Sequence, residues 1–258
     1  MKGYGQYCPL ALAAELLCER WTLLVISRVI DGCTQFNAIH RGVPRITPAM
    51  LAKRLDEIEH AGLITRPKAR RGAARTYQLT AAGAALAPLI EQMAVWGQHW
   101  ARDMRLDDMD PAFLGWSVSV RIDTARLPPG RVVTQFQFSG VPFDVRNFWL
   151  VASDGEVDMC LKDPGFEVDL LVRSDLRRFI EAWRGMRDLR AEIRSGQIQV
   201  IGSRDLAKQF PDWLKLSQLA PHERKKPGRE REAWHRTRAV PGEGFRGNSD
   251  FRVGPGAG

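Results

Sequence analysis

Thr47-Pro48-Ala49-Met50-Leu51-Ala52-Lys53-Arg54-Leu55-Asp56-Glu57-Ile58-Glu59-His60-Ala61-Gly62, running into Leu63-Ile64-Thr65-Arg66, decides how this chain folds. Thr47 suits a helix cap and Pro48 the first turn, where its missing N–H costs nothing. Leu51, Leu55 and Ile58 then line one face as far as the stop at Ala61-Gly62, and Lys53, Arg54, Glu57 and His60 are assigned to the opposite face. Leu63 to Arg66 and Thr76 to Leu79 read as strands around the basic, small-residue stretch Pro67 to Arg75. A helix followed by a β-hairpin with a cationic tip is the expectation.

Outward from this pair, the pattern stays helical on both sides. Pro9 opens a short helix through Leu17, and Trp21, Leu24, Val25 and Val29 recur at helical intervals before Asp31-Gly32. Phe36, Ile39 and His40 suggest a brief third helix, stopped by Gly42 and by the extended bias that Pro44 imposes on Val43. From the plausible cap Thr80, Leu86, Leu89, Ile90, Met93, Trp96, Trp100 and Met104 form a stripe along one long helix that Pro88 should kink. A stripe that large needs a partner, and a second copy of the chain is the expected one.

Three helices, a turn, a capped helix and a basic hairpin make the layout of a mainly α, winged helix-turn-helix domain over residues 1–110. Its fourth helix fits the major groove of duplex DNA and its wing lies against phosphates. Arg45, Thr47, Ala49, Met50, Lys53 and Arg54 are the expected recognition-helix contacts, and Lys68, Arg70, Arg71 and Arg75 the wing contacts. Charge agrees: residues 41–75 hold nine Lys/Arg against three acids. One recognition helix and wing bury too little surface for operator affinity, so a homodimer is expected on double-stranded DNA.

Beyond Asp107-Asp108 the period changes to two. Val133, Gln135 and Gln137 interleave with Val132, Thr134, Phe136 and Phe138, and further strands are expected at Phe148–Val151, Val157–Leu161 and Val168–Val172. Leu176, Phe179, Ile180 and Trp183, then Leu206, Phe210 and Leu214, have helical spacing. An α+β domain with one antiparallel sheet follows for residues 111–220, with 15 basic against 14 acidic side chains. Past Pro221 the chain is rich in Gly and Pro and reads as a disordered basic tail over 221–258.

The 258 residues are 44% apolar and carry a net charge of +8. No apolar run is long enough to cross a bilayer, and the start lacks the pattern of a secretory signal, so a cytoplasmic protein is expected. Cys8, Cys18, Cys33 and Cys160 have no metal-ligand spacing, and the histidines are scattered. No metal, no cofactor and no enzymatic activity are expected, for there is neither a nucleophile elbow nor a glycine-rich phosphate loop. Cys8 directly precedes Pro9 at a helix start, where the dipole favours thiolate; it reads either as a redox thiol or as a small residue at the dimer edge.

Taken in order, Cys8-Pro9, Glu19-Arg20-Trp21-Thr22-Leu23-Leu24, Asp31-Gly32, Phe36-Asn37, Ile46 through Leu55, Glu59 through Ile64, and Tyr77 through Gly83 resemble the HxlR family of winged-helix regulators. The resemblance covers Tyr7 to Leu89 and implies a dimeric DNA-binding regulator. It also implies a reactive N-terminal cysteine in some members. This chain departs from the family at Ala74-Arg75-Thr76, where the arginine is displaced by one position, and at Cys18-Glu19, where glycine and lysine are common.

The second domain resembles the sterol-carrier-protein-like fold through Phe148–Val151, Asp154–Val157, Val168–Val172, Asp175–Trp183 and Arg194–Gly202, followed by Leu206 to Leu214. That resemblance implies an apolar small-molecule ligand modulating DNA binding. The alternative for the same aromatic residues is an ordinary core, and the rival function is a lipid or apolar small-molecule transfer protein, which leaves the basic wing without a role.

Overall fold

The computed structural model describes residues 3–67 and 75–225. Its N-terminal part carries α1 (Pro9–Leu17), α2 (Thr22–Ile30), α3 (Phe36–Arg41) and α4 (Pro48–His60), then the short strands β1 (Ile64–Thr65) and β2 (Gln78–Leu79). Thr47 caps α4 by accepting the Met50 N–H at 3.2 Å. Gly62 ends the helix with φ +72°, and the Leu63 N–H returns to the Ile58 carbonyl at 3.1 Å, closing the last turn. Leu51, Leu55 and Ile58 are fully buried against Val25 and Ile26 of α2 and Ile39 of α3.

Two elements differ from the sequence expectation here. Trp21 stands before α2 rather than in it, in the left-handed region at φ 78° with the Arg20 guanidinium 4.7 Å from its ring centroid. The single long helix expected from Thr80 is two, α5 (Ala81–Ala84) and α6 (Ala87–Trp100), broken ahead of Pro88 because a proline ring is tolerated only in a first turn. The second ends at Trp100, and Met104 packs instead against the core of the following domain.

That domain opens with α7 (Pro111–Ser119), a helix the sequence reading did not separate out, capped by Asp110. Its strands are β3 (Val132–Ser139), β4 (Asn147–Ser153), β5 (Glu156–Cys160), β6 (Leu170–Asp175) and β7 (Gln199–Gly202), in spatial order β5-β4-β3-β6-β7. The sheet is mixed, not antiparallel as expected: β3 and β6 run parallel, with Phe136 beside Val172. A parallel pair needs a crossover, and the β4–β5 hairpin with the loop after it supplies one. The helices are α8 (Leu176–Trp183), α9 (Leu189–Arg194) and α10 (Arg204–Trp213).

Alternation along β3 sends Phe136 and Phe138 to the helical side, where Phe148, Phe179 and Phe210 join them, with Phe136 and Phe148 stacked at 4.7 Å and Phe136 and Phe179 edge-on at 5.6 Å. Val133, Trp149 and Val151 form a smaller cluster on the other face.

Polar side chains join the two parts. Arg45 Nε lies 3.2 Å from Asp110 Oδ2, and the Arg28 guanidinium sits 4.4 Å from the Trp116 ring centroid of α7. Gln98 of α6 is buried; its amide nitrogen donates to the carbonyls of Arg184 (3.3 Å) and His222 (3.2 Å), and the Arg184 side chain donates to its amide oxygen. Arg224 donates to the Gln98 carbonyl at 3.2 Å and to the Ala101 carbonyl, and pairs with Asp103 at 2.9 Å. The carbonyls that a helix end leaves unpaired are thus satisfied from a distant segment. Residues 221–225, assigned to the tail from sequence, are docked as a strap on α6; the rest of the tail lies outside the described residues.

Candidate nucleic-acid interface

The exposed surface of α4 is built by its own phase. With Leu51, Leu55 and Ile58 inward, Pro48, Ala49, Met50, Ala52 and Lys53 stand in solvent at the N-terminal half. Lys53 is two-thirds exposed, with Glu57 Oε1 3.9 Å away, and its ammonium is free to swing outward. Thr47 is exposed but committed to the cap. Ala49 and Met50 offer apolar contact of the kind that suits a thymine methyl.

Arg54 is the correction. Expected on the outer face, it is 6% exposed, with Glu57 at 2.7 Å and Glu19 at 3.7 Å. Residue 54 lies three after Leu51 and four before Ile58, so the helical period places it in the inward row. Its positive charge ties α4 to the turn before α2. Arg45, just before the recognition helix, is half-exposed and engaged with Asp110.

Arg75 is exposed beside the isolated bridge between Gln35 and Thr76, which adds a third short extended segment to the wing base. Lys68, Arg70 and Arg71 lie outside the described residues. Arg66, at the start of the wing, is taken up by Asp56 and Glu59 and by the Tyr77 ring. Asn37 and Arg41 are exposed at i, i+4 on one edge of α3, a pairing the sequence reading passed over although the spacing signals a shared face. Cys8 is the residue before α1, accepts the Leu12 N–H through its carbonyl at 3.1 Å, and leaves its thiol exposed.

A family model described as HxlR-like helix-turn-helix matches residues 16–105. The HTH-type transcriptional regulator YvaP of Bacillus subtilis (strain 168) is 30% identical over 112 residues, which is 43% of this chain and 96% of YvaP. The chain belongs to the HxlR-like family. A second relative is YodB of the same organism, an HTH-type transcriptional regulator 33% identical over 95 residues, covering 36% of this chain and 85% of YodB. The solved reduced form of YodB aligns over 36% of this chain and 93% of its own with 33% identity and a TM-score of 0.32. The HxlR-like part is the transcriptional-regulator type of helix-turn-helix, and it ends before α7. Among the described residues no helix is long and apolar enough to cross a membrane.

Proposed function

We propose that this chain regulates transcription by binding duplex DNA as a homodimer, the N-terminal half of α4 entering the major groove and the segment between β1 and β2 tracking phosphates. The observation that carries the reading is the exposed, capped start of α4, with Ala49, Met50 and Lys53 outward on a helix whose opposite row is fully buried. Dimerisation draws support from apolar side chains left in solvent on α1 and α6: Leu10 is 76% exposed and Trp96 62%, and Leu12 on α1 and Leu89, Met93 and Trp100 on α6 are exposed as well. Apolar groups so concentrated mark an interface. Selection of bound fragments from genomic DNA, followed by footprinting, tests this reading. Two protected half-sites related by a twofold and about 10 bp apart are expected; protection of a single unrepeated site contradicts the dimer.

The second domain is assigned to modulation of that binding by a small molecule. It adds almost no net charge, so it contributes little to phosphate affinity. Through Gln98, Arg184 and Arg224 it grips the C-terminal end of α6, the helix that would carry the dimer contact.

A further inference from the structure

A cleft of about 540 Å³ opens at the junction of the two parts, between the segment leading into α7 and the β3–β4 connection. That volume falls within the range of drug-sized ligand sites. Leu106, Met109, Val141, Val145 and Leu161 give it apolar walls, and Leu106 (70%), Leu161 (53%) and Val145 (43%) stand open to solvent around it.

Its charges are uneven. Among the described residues, Asp107, Asp110 and Asp144 line it against one cation, Arg45. Asp110 is already used twice, accepting the Ala112 N–H at 2.9 Å as the cap of α7 and meeting Arg45 at 3.2 Å. Asp107 and Asp144 have no ion pair among the described residues. Asn147, also on the wall, has a buried amide oxygen without a hydrogen-bond donor among the described residues. Low-dielectric walls concentrate the field of such carboxylates on whatever enters.

The geometry points to this junction cleft, rather than the aromatic interior of the second domain, as the effector site, taking a molecule with an apolar body and a single cationic N–H group, a hydrophobic amine or amidine. The interior is filled by the rings of Phe136, Phe138, Phe148, Phe179 and Phe210 packed on one another. In the cleft, an apolar body covers the exposed leucines and valines while its N–H group meets Asp107 or Asp144 and can supply the donor that Asn147 lacks. An anion meets two carboxylates that hold no ion pair among the described residues and is disfavoured. A bound cation also competes with Arg45 for Asp110, the ion pair that fixes the residue two before the cap of α4. The link to DNA affinity rests on the function proposed above; the site itself does not.

Naphthylmethylammonium and naphthylacetate share one apolar body and differ in charge, so calorimetric titration of the full chain with both tests the proposal. Saturable one-to-one binding of the ammonium, at least tenfold tighter than the carboxylate, is expected. Asp107→Asn with Asp144→Asn should erase that preference, and Leu161→Trp, a change at an exposed position, should block both. At saturation the ammonium should shift affinity for a genomic fragment at least threefold in the wild type and not in Leu161→Trp. Absence of saturable binding, equal binding of the two probes, or indifference to both variants overturns the site; binding with no shift in DNA affinity overturns its link to α4. Failure of the ligand-free chain to bind DNA counts against the regulator reading instead.

Discussion

The two parts of the molecule bury their apolar residues to different degrees. In the second domain the rings clustered on the helical side of the sheet are covered, with Phe136, Phe148, Phe179 and Phe210 fully buried and Trp213 nearly so, while Phe113, Phe143 and Phe166 outside that cluster are exposed. The HxlR-like part closes its core around α2 and α4 yet leaves Leu10, Leu89, Met93 and Trp96 in solvent on α1 and α6. The sheet side is complete at its core, and the HxlR-like side is incomplete on α1 and α6, where the homodimer proposed above would cover it. The strap over Gln98 and Arg224 then connects the sheet side to the end of α6, the helix proposed to carry the dimer contact.

The largest expected effect breaks the incomplete side alone. Leu89→Glu with Trp96→Glu places charges at positions already exposed, so the monomer should keep its fold while light scattering falls from dimer to monomer mass and operator binding disappears. Persistence of the dimer would place the interface elsewhere. Phe136→Ala should act only on the complete side, costing ~3–5 kcal/mol for a lost core ring, read as an earlier unfolding transition in urea for the second domain. Unfolding of both parts in one shifted transition would show that the polar contacts at Gln98 and Arg45 couple them more tightly than this comparison allows.

Within α4 the contrast sharpens to neighbouring residues. Arg54→Ala leaves Glu57 and Glu19 without their buried cation and should destabilise the N-terminal part by about 1–3 kcal/mol, below the full cost of a buried pair because both carboxylates are about one-third exposed. Lys53→Ala should change stability by no more than about 0.5 kcal/mol. Similar melting shifts in the two variants would contradict the inward placement of Arg54.

The smallest effect concerns the strap. His99 is kept below its ordinary value of 6.5 by desolvation, then by Lys225 and His222. Well above pH 6.5 the imidazole is neutral whether the strap is docked or not; as pH falls through 6.5 the released form takes up the proton first, so docking weakens. Hydrogen exchange in residues 221–225 should therefore speed up, relative to the rest of the chain, between pH 7 and 5.5. Greater protection at the lower pH would contradict it.

Much of this was legible in sequence because the period carried it. Thr47-Pro48, the Leu51/Leu55/Ile58 row and the Ala61-Gly62 stop specify α4, and the Val132–Phe138 alternation specifies β3. The Arg54 position was legible too, since the inward row includes it, but its charge argued for solvent; burial needed Glu57 and Glu19 to meet it, and Glu19 is 35 residues away in the chain. The parallel pairing of β3 with β6 depends on contacts between residues about 36 apart, such as Thr134 and Leu170, and no local pattern encodes direction. The strap on α6 is likewise tertiary, whereas the break ahead of Pro88 was legible in part as the kink a proline imposes. The cleft arises from the linker meeting the β3–β4 connection, two segments that share no motif.

The most direct test of the central claim is anisotropy titration of a footprinted duplex and a random duplex with wild type and Lys53→Ala. The variant, folded and dimeric, should lose about 1–3 kcal/mol of specific affinity and much less on random DNA. An unchanged ratio of specific to random binding would contradict the placement of α4 in the major groove.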